Sequence, residues 1–438
     1  MWSIISAGDE MAPVIGLAST RCSGRGSVVG ATITAALQFI AASLLQEPWP
    51  LHTEIANGSS FDFIIVGAGT AGCTLAARLA EIENISIPAS HNLLIGSPYD
   101  WNFTTIDDGQ SSQGLSGGSQ RQPRGKMLGG SGSINSMIYA RGFPADYDEW
   151  ADIAGSDWSW ENVLPYFKKT EQMTDQQIVN NEELMKYHGR DGEIEVAGLN
   201  NTSEEIERFL EAFREIGFNI VYDMTNPHKI GAGKFSHTIR DGRRDSSLTA
   251  FCWRTTEYEL DFYGEKEVIV SAGTFNTPKL LMLSGIGPKK HLNDLGIGVV
   301  KDLPAVGGNL HDHPNTPDFA YYPTCTPQRF QFYEGCVSVI GLDSEICTQL
   351  DAENQNNALL TIAVVLLKPK SRGKIRLRST NPLDEPLIYL GTFNNPDDFD
   401  AKTGYFKKSA HVVDIKIDIC DGLKSKSLKR SNARLEPA

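Results

Sequence analysis

The chain has no closely paired cysteines and carries no excess of positive charge. Its seven cysteines include no CxxC pair, which argues against zinc-ribbon and thioredoxin-like folds. Cys325, Cys336 and Cys347 fall within 23 residues and allow one disulfide in an oxidising compartment. There are 40 Lys and Arg against 54 Asp and Glu, a net charge of −14, which argues against a nucleic-acid partner. No internal repeat is present, so a solenoid is also excluded.

The N-terminal region lacks an apolar run of the length that a membrane-spanning helix needs. The stretch at residues 28–45 has 18 residues and contains Gly, Thr, Gln and Ser, whereas a spanning helix needs about 20 strongly apolar ones. Arg21 and Arg25 precede it, as basic residues precede the apolar part of a signal peptide. Residues 1–58 are therefore predicted to be a signal or leader region of a secreted protein. A membrane anchor and a spurious leader are the alternatives.

The residue pattern changes along the chain. Residues 63–66 are an apolar run that ends at Gly67, and apolar residues then recur at helical spacing, which predicts strand, turn and helix. Residues 360–390 instead alternate as two or three antiparallel strands do. Further predicted helices are 158–169, 203–216 and 279–283, and further predicted strands are 267–271 and 296–300. With 438 residues, the chain can hold two or three domains.

A glycine-spaced turn follows the first predicted strand. Gly67, Gly69 and Gly72 have the spacing G-x-G-x-x-G between a predicted strand and a predicted helix. In a dinucleotide-binding loop the first glycine permits the turn, the second lets the backbone approach a pyrophosphate, and the third allows close packing of helix on strand. The phosphates lie at the positive end of the helix dipole. A glycine-rich bend without a ligand is the alternative, but both flanks favour the dinucleotide site.

A second cluster of small residues, Gly-Gly-Ser-Gly-Ser, occupies residues 129–133. It offers amides and hydroxyls at a predicted helix start, and such a nest suits a second phosphate or the ring edge of a cofactor. A flexible loop that caps a helix is the alternative. Dinucleotide sites also use an acidic residue on the ribose, about 20 residues beyond the glycines. Here Glu81 and Glu83 fall at the helix end and Pro88 interrupts the expected strand, so that contact is missing or replaced.

The chain resembles the glucose-methanol-choline (GMC) oxidoreductase family, in particular its insect glucose-dehydrogenase-like branch. Four segments match in order: FDFIIVGAGTAGCTLAARLAE at 61–81, YDWNFTT with RGKMLGGSGSINSMIYARGFPADYDEWA within 99–151, KEVIVSAGTFNTPKLLMLSGIGPKKHLNDLGI at 266–297, and VGGNLHDHP at 306–314. A fifth segment, at 366–390, resembles the substrate-domain sheet of the family. The resemblance covers roughly residues 59–400.

The resemblance implies a fold, a cofactor and a reaction. Family members bind FAD in a discontinuous Rossmann-like α/β domain, and their α+β substrate domain lays an antiparallel sheet over the flavin. They oxidise an alcohol or a sugar such as glucose by hydride transfer to the flavin while a base removes the hydroxyl proton, with oxygen or a quinone as electron acceptor. The implied cofactor contacts are Gly67, Gly69, Gly72, Leu128, Gly129, Gly130, Ser131, Asn135 and Met137.

The resemblance also implies a domain organisation. Residues 59–315 would form the FAD-binding domain, with a helical insertion at about 152–240 and an incomplete parallel sheet. Residues 316–400 would form a partial substrate domain, and 401–438 would be a tail outside the family pattern.

Three features of the family pattern are absent. The strand that ends in the ribose-binding Glu is missing between residues 84 and 92, and the hairpin that contributes an adenine contact is too short between 251 and 267. The family's base is a His close to a G-T-x-x-M-G run in the C-terminal region. His411 is the sole histidine after residue 400 and lacks that context, so the role is not assigned to it.

Two other histidines belong to a matched element. His311 and His313 lie in NLHDHP and are interpreted as part of a turn near the cofactor, not as the base. The sequence therefore predicts an FAD-dependent oxidoreductase of CH–OH groups with no assigned catalytic residue. A catalytically inactive or incomplete family member that at most binds FAD is the alternative. An NAD-dependent dehydrogenase would share the first glycine fingerprint but would leave GKMLGGSGSIN and VSAGTFNTPKLLMLSGIG unexplained.

Overall fold

The computed structural model describes most of the chain between residues 60 and 400. The described residues are 60–77, 94–109, 111–198, 204–215, 217–247, 263–322, 336, 344–354, 358–400 and 429–430. Residues 60–64 and 263–268 belong to one compact unit, and the remaining described residues belong to a larger one. The predicted leader, the predicted gap between 84 and 92, and His411 lie outside the described residues.

The described helices and strands alternate through the first part of the chain. The helices are α1 (Thr70–Ala77), α2 (Pro144–Ala154), α3 (Trp160–Thr170), α4 (Gln176–Val179), α5 (Glu182–Met185), α6 (Glu204–Glu215), α7 (Gly273–Leu283), α8 (Lys289–Asp294) and α9 (Ser344–Asn354). The strands are β1 (Ser60–Val66), β2 (Phe103–Thr104), β3 (Arg121–Gln122), β4 (Glu171–Met173), β5 (Ile194–Ala197), β6 (His237–Arg240), β7 (Arg243–Arg244), β8 (Tyr263–Val270), β9 (Ile286–Gly287), β10 (Lys301–Asp302), β11 (Asn315–Tyr322), β12 (Ala358–Val365), β13 (Lys374–Arg376), β14 (Leu387–Tyr389) and β15 (Lys429–Arg430).

Strand β1, a turn and helix α1 form the unit that the sequence predicts. The run of Ile64, Ile65 and Val66 favours a strand because β-branched side chains fit a pleated surface. Strand β1 pairs with β8. Ser271 N donates a hydrogen bond to Val66 O at 2.8 Å, so the carboxyl ends of the two strands meet. Ligands of α/β folds bind outside the carboxyl ends of such strands.

The main hydrophobic core of the larger unit surrounds α7. Phe275 and Met282 of this helix are buried, and the Phe275 ring packs edge-on against Phe103 with 5.5 Å between centroids. Its buried partners come from α8, from β13 and β14, and from the loop residues Leu310 and Leu377; those on the three elements are Leu292, Ile375 and Ile388. Burial of one such side chain stabilises the fold by about 1.5–3 kcal/mol. The core therefore holds α7 firmly beside the strand ends.

A four-stranded sheet in the order β4-β5-β6-β7 carries a buried charge network. The sheet is antiparallel except for the pair β4 and β5. Glu171 on β4 contacts the guanidinium of Arg141 and also lies 2.8 Å from His188 Nδ1. His188 Nε2 lies 3.2 Å from an Asp223 carboxylate oxygen, and all these side chains are almost completely buried. Removal of one partner would leave a buried charge uncompensated.

Antiparallel strands occupy the C-terminal part, as the alternation at 360–390 predicts. Strand β12 pairs with β11 in the order β12-β11-β15, while β13 pairs with β14. Strand β12 thus pairs along its length with β11, which lies outside the predicted segment at 360–390. A disulfide joins Cys336 and Cys347, two of the three cysteines that the sequence groups together.

Two predicted elements differ from the structure. Helix α7 begins at Gly273 and not at 279, because burial of Phe275 holds a segment rich in Gly, Asn and Pro in a helical conformation. Residues 296–300 are not a strand. Gly296, with φ of 72°, follows the end of α8, and its N–H bonds back to Asn293 O, so it acts as a helix C-cap. The extended segment starts only at β10.

The other predicted helices agree closely with the structure. Helix α3 at Trp160–Thr170 matches the prediction at 158–169, and α6 at Glu204–Glu215 matches that at 203–216. Across the described residues, no helix combines the length and the apolar character that crossing a bilayer requires.

Candidate functional site

The first glycine loop, residues 67–72, is packed too tightly for side chains at two positions. Gly67 has φ of 121°, and a Cβ there would contact the carbonyl of Ser271 and lie 2.8 Å from Ala272 N. A Cβ on Gly72 would contact the carbonyl of Gly67 and lie 2.8 Å from Ser271 Oγ. The carbonyls of Ser271 and Gly67 are backbone groups, which cannot rotate away as a side chain can. The first and third glycines are therefore required for the turn and for the close packing of α1.

The second glycine loop, residues 129–133, contacts the first. Gly129 N donates a hydrogen bond to Ala68 O at 2.8 Å. Gly130 has φ of 54°, and a Cβ on it would lie 2.7 Å from Gly69 Cα. A Cβ on Gly69, in contrast, would have only Gly130 Cα, at 4.0 Å, among its close neighbours in the described part of the chain. The absent side chain of Gly69 thus leaves open space in front of the loop.

The second loop uses part of its own polar groups to hold its shape. Residues Gly130–Ser133 form a 3₁₀ turn. Ser133 Oγ donates to Leu128 O at 3.0 Å, and Ser131 Oγ accepts from Gly125 N at 3.3 Å. The Ser131 side chain is exposed, whereas Leu128 is half-buried. The turn is therefore rigid while one hydroxyl stays accessible from solvent.

Asn135 and Met137 lie at the exit of this loop and are held by the protein. Asn135 Oδ1 accepts a hydrogen bond from Met137 N at 3.0 Å. Met137 is buried, and its carbonyl accepts from Thr238 N on β6 at 2.9 Å. Met137 also adopts φ of 60°, which is uncommon for a residue with a side chain. The structure thus joins the two glycine loops directly, at Gly129–Ala68 and at Gly130–Gly69. It also ties Met137 to the neighbouring sheet.

A buried arginine that the sequence does not single out holds the second loop. Arg244 on β7 is 2% exposed. Its guanidinium donates to Gly132 O at 3.1 Å, to Asn135 Oδ1 at 2.6 Å and to Asn135 O at 2.7 Å. Burial lowers the pKa of Arg244 to about 10, so it stays charged at neutral pH. Nothing in the sequence distinguishes Arg244 from its neighbour Arg243, which is exposed.

The electrostatics of the paired loops suit an anion. Helix α1 begins at Thr70 directly after Gly69, and its first turn contains no acidic residue. The positive end of its dipole therefore faces the open space without a competing carboxylate. The cationic Arg244 binds the second loop from the other side. The charge of this site and the absence of a side chain at Gly69 therefore suit a pyrophosphate.

The NLHDHP turn lies near the segment that enters the second loop. Burial lowers the pKa of Arg124, and the nearby carboxylates of Asp312 and Asp100 oppose that shift. His311 and His313 flank Asp312 and are exposed, and His311 Nδ1 lies 3.0 Å from Asn309 O. This turn also lines a cavity of about 340 Å³ together with residues of α7. The Asp312 carboxylate therefore lies near the Arg124 guanidinium, which balances its charge.

The strand pair, the glycine loop at its carboxyl end and the following helix define a dinucleotide-binding α/β protein. The profile of the GMC oxidoreductase family matches residues 61–262 and 254–315. The chain is 45% identical to an ecdysone oxidase of Bombyx mori, over 92% of this chain and 77% of the relative. It is 30% identical to a glucose dehydrogenase (FAD, quinone) of Drosophila pseudoobscura pseudoobscura, over 78% and 68%. The chain belongs to the GMC oxidoreductase family.

A solved structure agrees with this assignment. A formate oxidase of Aspergillus oryzae, studied for the modification of its FAD, superimposes with a TM-score of 0.66 at 25% identity and covers 82% of both chains. The fold is that of an FAD-binding Rossmann-like flavoenzyme with additional antiparallel sheets, and the cofactor is FAD. The open space at Gly69 and the N-terminus of α1 suit the pyrophosphate of that cofactor.

The alignment with the Bombyx mori enzyme also bears on the predicted gaps. It spans 516 positions, more than the 438 residues of this chain. The relative therefore contains segments that align with gaps in this chain. The predicted gap between 84 and 92 and the shortened hairpin lie largely outside the described residues. The ribose and adenine contacts therefore stay predictions from the sequence.

Proposed function

We propose that the chain is an FAD-dependent oxidoreductase that oxidises a CH–OH group of an alcohol. The observation that supports this most directly is the contact between the two glycine loops at the N-terminus of α1, in a chain of the GMC family. Bound FAD supplies the redox chemistry by accepting a hydride from the alcohol carbon. The chain's own residues bind the cofactor and orient it.

We assign the pyrophosphate to the first loop and the flavin to the second. Gly67 and Gly72 shape the turn, and Gly69 leaves the space in which backbone amides approach the phosphates. Gly129, Gly130 and Ser131 form the facing wall. Leu128, Asn135 and Met137 lie along the flavin in this proposal, and Arg244 keeps Asn135 in position.

For the substrate, we propose an ecdysone-type polyhydroxylated steroid in preference to glucose. Identity to the ecdysone oxidase is 45%, whereas identity to the glucose dehydrogenase is 30%. The test is turnover of purified protein with ecdysone and with glucose, each with oxygen and with a quinone as acceptor. Turnover of glucose but not of ecdysone would reject the steroid proposal and keep the reaction class.

The cofactor and reaction are tested by one anaerobic experiment. The purified chain should have the visible absorption of a flavin, and an alcohol substrate should bleach it in the absence of oxygen. A colourless protein that takes up no added FAD would reject the proposal.

An FAD-binding protein without turnover is the second candidate. The observation that favours it is that the Bombyx mori relative contains segments with no counterpart in this chain. It predicts a yellow protein whose absorption no alcohol bleaches, and that grafting the His-bearing segment of the family onto the chain creates turnover. The single experiment above thus separates the two candidates, because only bleaching requires a base.

We also propose that the protein is secreted. The basic and apolar pattern of residues 1–58 supports a signal peptide, and the Cys336–Cys347 disulfide suits an oxidising compartment. Expression in insect cells should release the processed chain into the medium. Retention of the chain in the membrane fraction would favour an anchor instead.

A further inference from the structure

A buried hydroxyl beside the second glycine loop has no partner in the protein. Ser247 is 2% exposed, and its Oγ makes no hydrogen bond within the part of the chain that the structure describes. Buried hydroxyls in native proteins are almost always hydrogen-bonded, to protein, water or a ligand. The unpaired Oγ is therefore available to a partner outside the described residues, such as a bound ligand.

Ser247 lies where three elements of the larger unit converge. It follows strand β7, whose Arg244 binds the carbonyl of Gly132. A Cβ on Gly132 would lie 2.8 Å from Thr70 Oγ1 and 3.7 Å from Ser247 Oγ. Thr70 is the first residue of α1. The two hydroxyls thus lie close to Gly132 and to the N-terminus of α1, the helix end that is assigned to the pyrophosphate.

We propose that Ser247 is a further cofactor contact, whose Oγ donates a hydrogen bond to a pyrophosphate oxygen of bound FAD. A neutral donor at a helix N-terminus adds to the amides there, and its bond to a charged oxygen is stronger than one between neutral groups. A side chain at Gly132 would contact Thr70 Oγ1 and occupy the space beside Ser247. The inference rests on the FAD site proposed above.

A contact to FAD and a purely structural role predict different results for Ser247→Ala. Without cofactor, the variant loses only an unpaired hydroxyl, so the apo-protein should unfold at the same or a higher temperature. With cofactor, it should bind FAD about 10- to 100-fold more weakly, the usual effect of losing a hydrogen bond to a charged group. A structural role would instead lower the stability of the apo-protein.

The experiment uses the full chain after removal of its FAD. Binding is followed by the quenching of flavin fluorescence during titration with FAD, and by competition with ADP and riboflavin. ADP carries the pyrophosphate without the flavin, and riboflavin carries no phosphate. Ser247→Ala should weaken FAD and ADP binding by the same factor and leave riboflavin binding unchanged.

Ser236→Ala is the matched control. Ser236 is also a buried serine, but its Oγ donates to Asp175 Oδ2 at 3.1 Å. This variant should lower the unfolding temperature of the apo-protein and leave FAD affinity unchanged.

Three results would overturn the assignment of Ser247. The first is equal FAD affinity of Ser247→Ala and the wild type, and the second is a loss of apo-protein stability as large as that of Ser236→Ala. Weaker riboflavin binding without weaker ADP binding would also overturn it, since the contact would then be to the flavin end. A wild-type chain that binds no FAD would overturn the proposed function itself, which makes the two failures distinguishable.

Discussion

One added methyl group at Gly130 tests the contact between the two glycine loops. A Cβ at this position would lie 2.7 Å from Gly69 Cα, which is backbone and unable to move aside as a side chain does. The φ of 54° costs an alanine about 1–2 kcal/mol. Overpacking against a fixed neighbour costs about 1–3 kcal/mol more. We expect Gly130→Ala to lower the free energy of unfolding by about 2–5 kcal/mol.

Gly242→Ala separates the two contributions. Gly242 has φ of 71°, but a Cβ on it would meet nothing within 4 Å. Its substitution should therefore cost only the conformational part, about 1–2 kcal/mol. The assay is the urea midpoint of both apo-variants from tryptophan fluorescence, followed by titration with FAD. Only Gly130→Ala should also weaken FAD binding. Equal midpoints with equal FAD affinities would refute the reasoning that the two loops touch and jointly hold the cofactor.

Two further predictions concern buried charges. Arg244→Met should lower the free energy of unfolding by about 2–4 kcal/mol because three acceptor contacts lose a charged donor. Arg243→Met, at the exposed neighbouring position, should change it by less than about 0.5 kcal/mol. Thermal unfolding of the two variants measures the difference. Burial lowers the pKa of His188, but hydrogen bonds to Asp223 and Glu171 outweigh burial and raise it. The folded state thus holds this proton more tightly than the unfolded one, so the stability is complete below about pH 6.5 and is lost as the pH rises through the folded pKa. Urea midpoints should therefore fall more steeply for the wild type than for His188→Gln as the pH rises above about 6.5.

Each of these two predictions has a result that would contradict it. An Arg244 variant as stable as the Arg243 variant would show that the second loop keeps its shape without the guanidinium. Parallel pH profiles for the wild type and His188→Gln would assign the titration to another group.

The local pattern around β1 and α1 could be predicted because it depends on neighbouring residues. Apolar β-branched residues before Gly67 and helical spacing after Gly72 suffice for strand, turn and helix. Helix α6 follows from its amphipathic spacing in the same way. The start of α7 could not be predicted, because the burial of Phe275 against Phe103 overrides the local preference of the segment.

The geometry of the site depended on contacts between distant residues. The family resemblance indicates both glycine loops, but no spacing rule shows that Gly129 bonds to Ala68. Arg244 and Ser247 were missed because each acts through the residue it reaches in space. Two adjacent arginines, one buried and one exposed, look alike in a single sequence.

The bond between Ser271 and Val66 links the two ends of a long stretch of chain. The residues are 205 positions apart, and the turn at Gly67 is closed on one side by the Ser271 carbonyl. At ribosomal speeds the intervening segment takes about 10–40 s to synthesise. A nascent chain that ends before Ser271 therefore contains the glycine loop but lacks the Ser271 carbonyl that packs against it. We expect FAD binding to follow only after that later segment has been synthesised and has paired with β1.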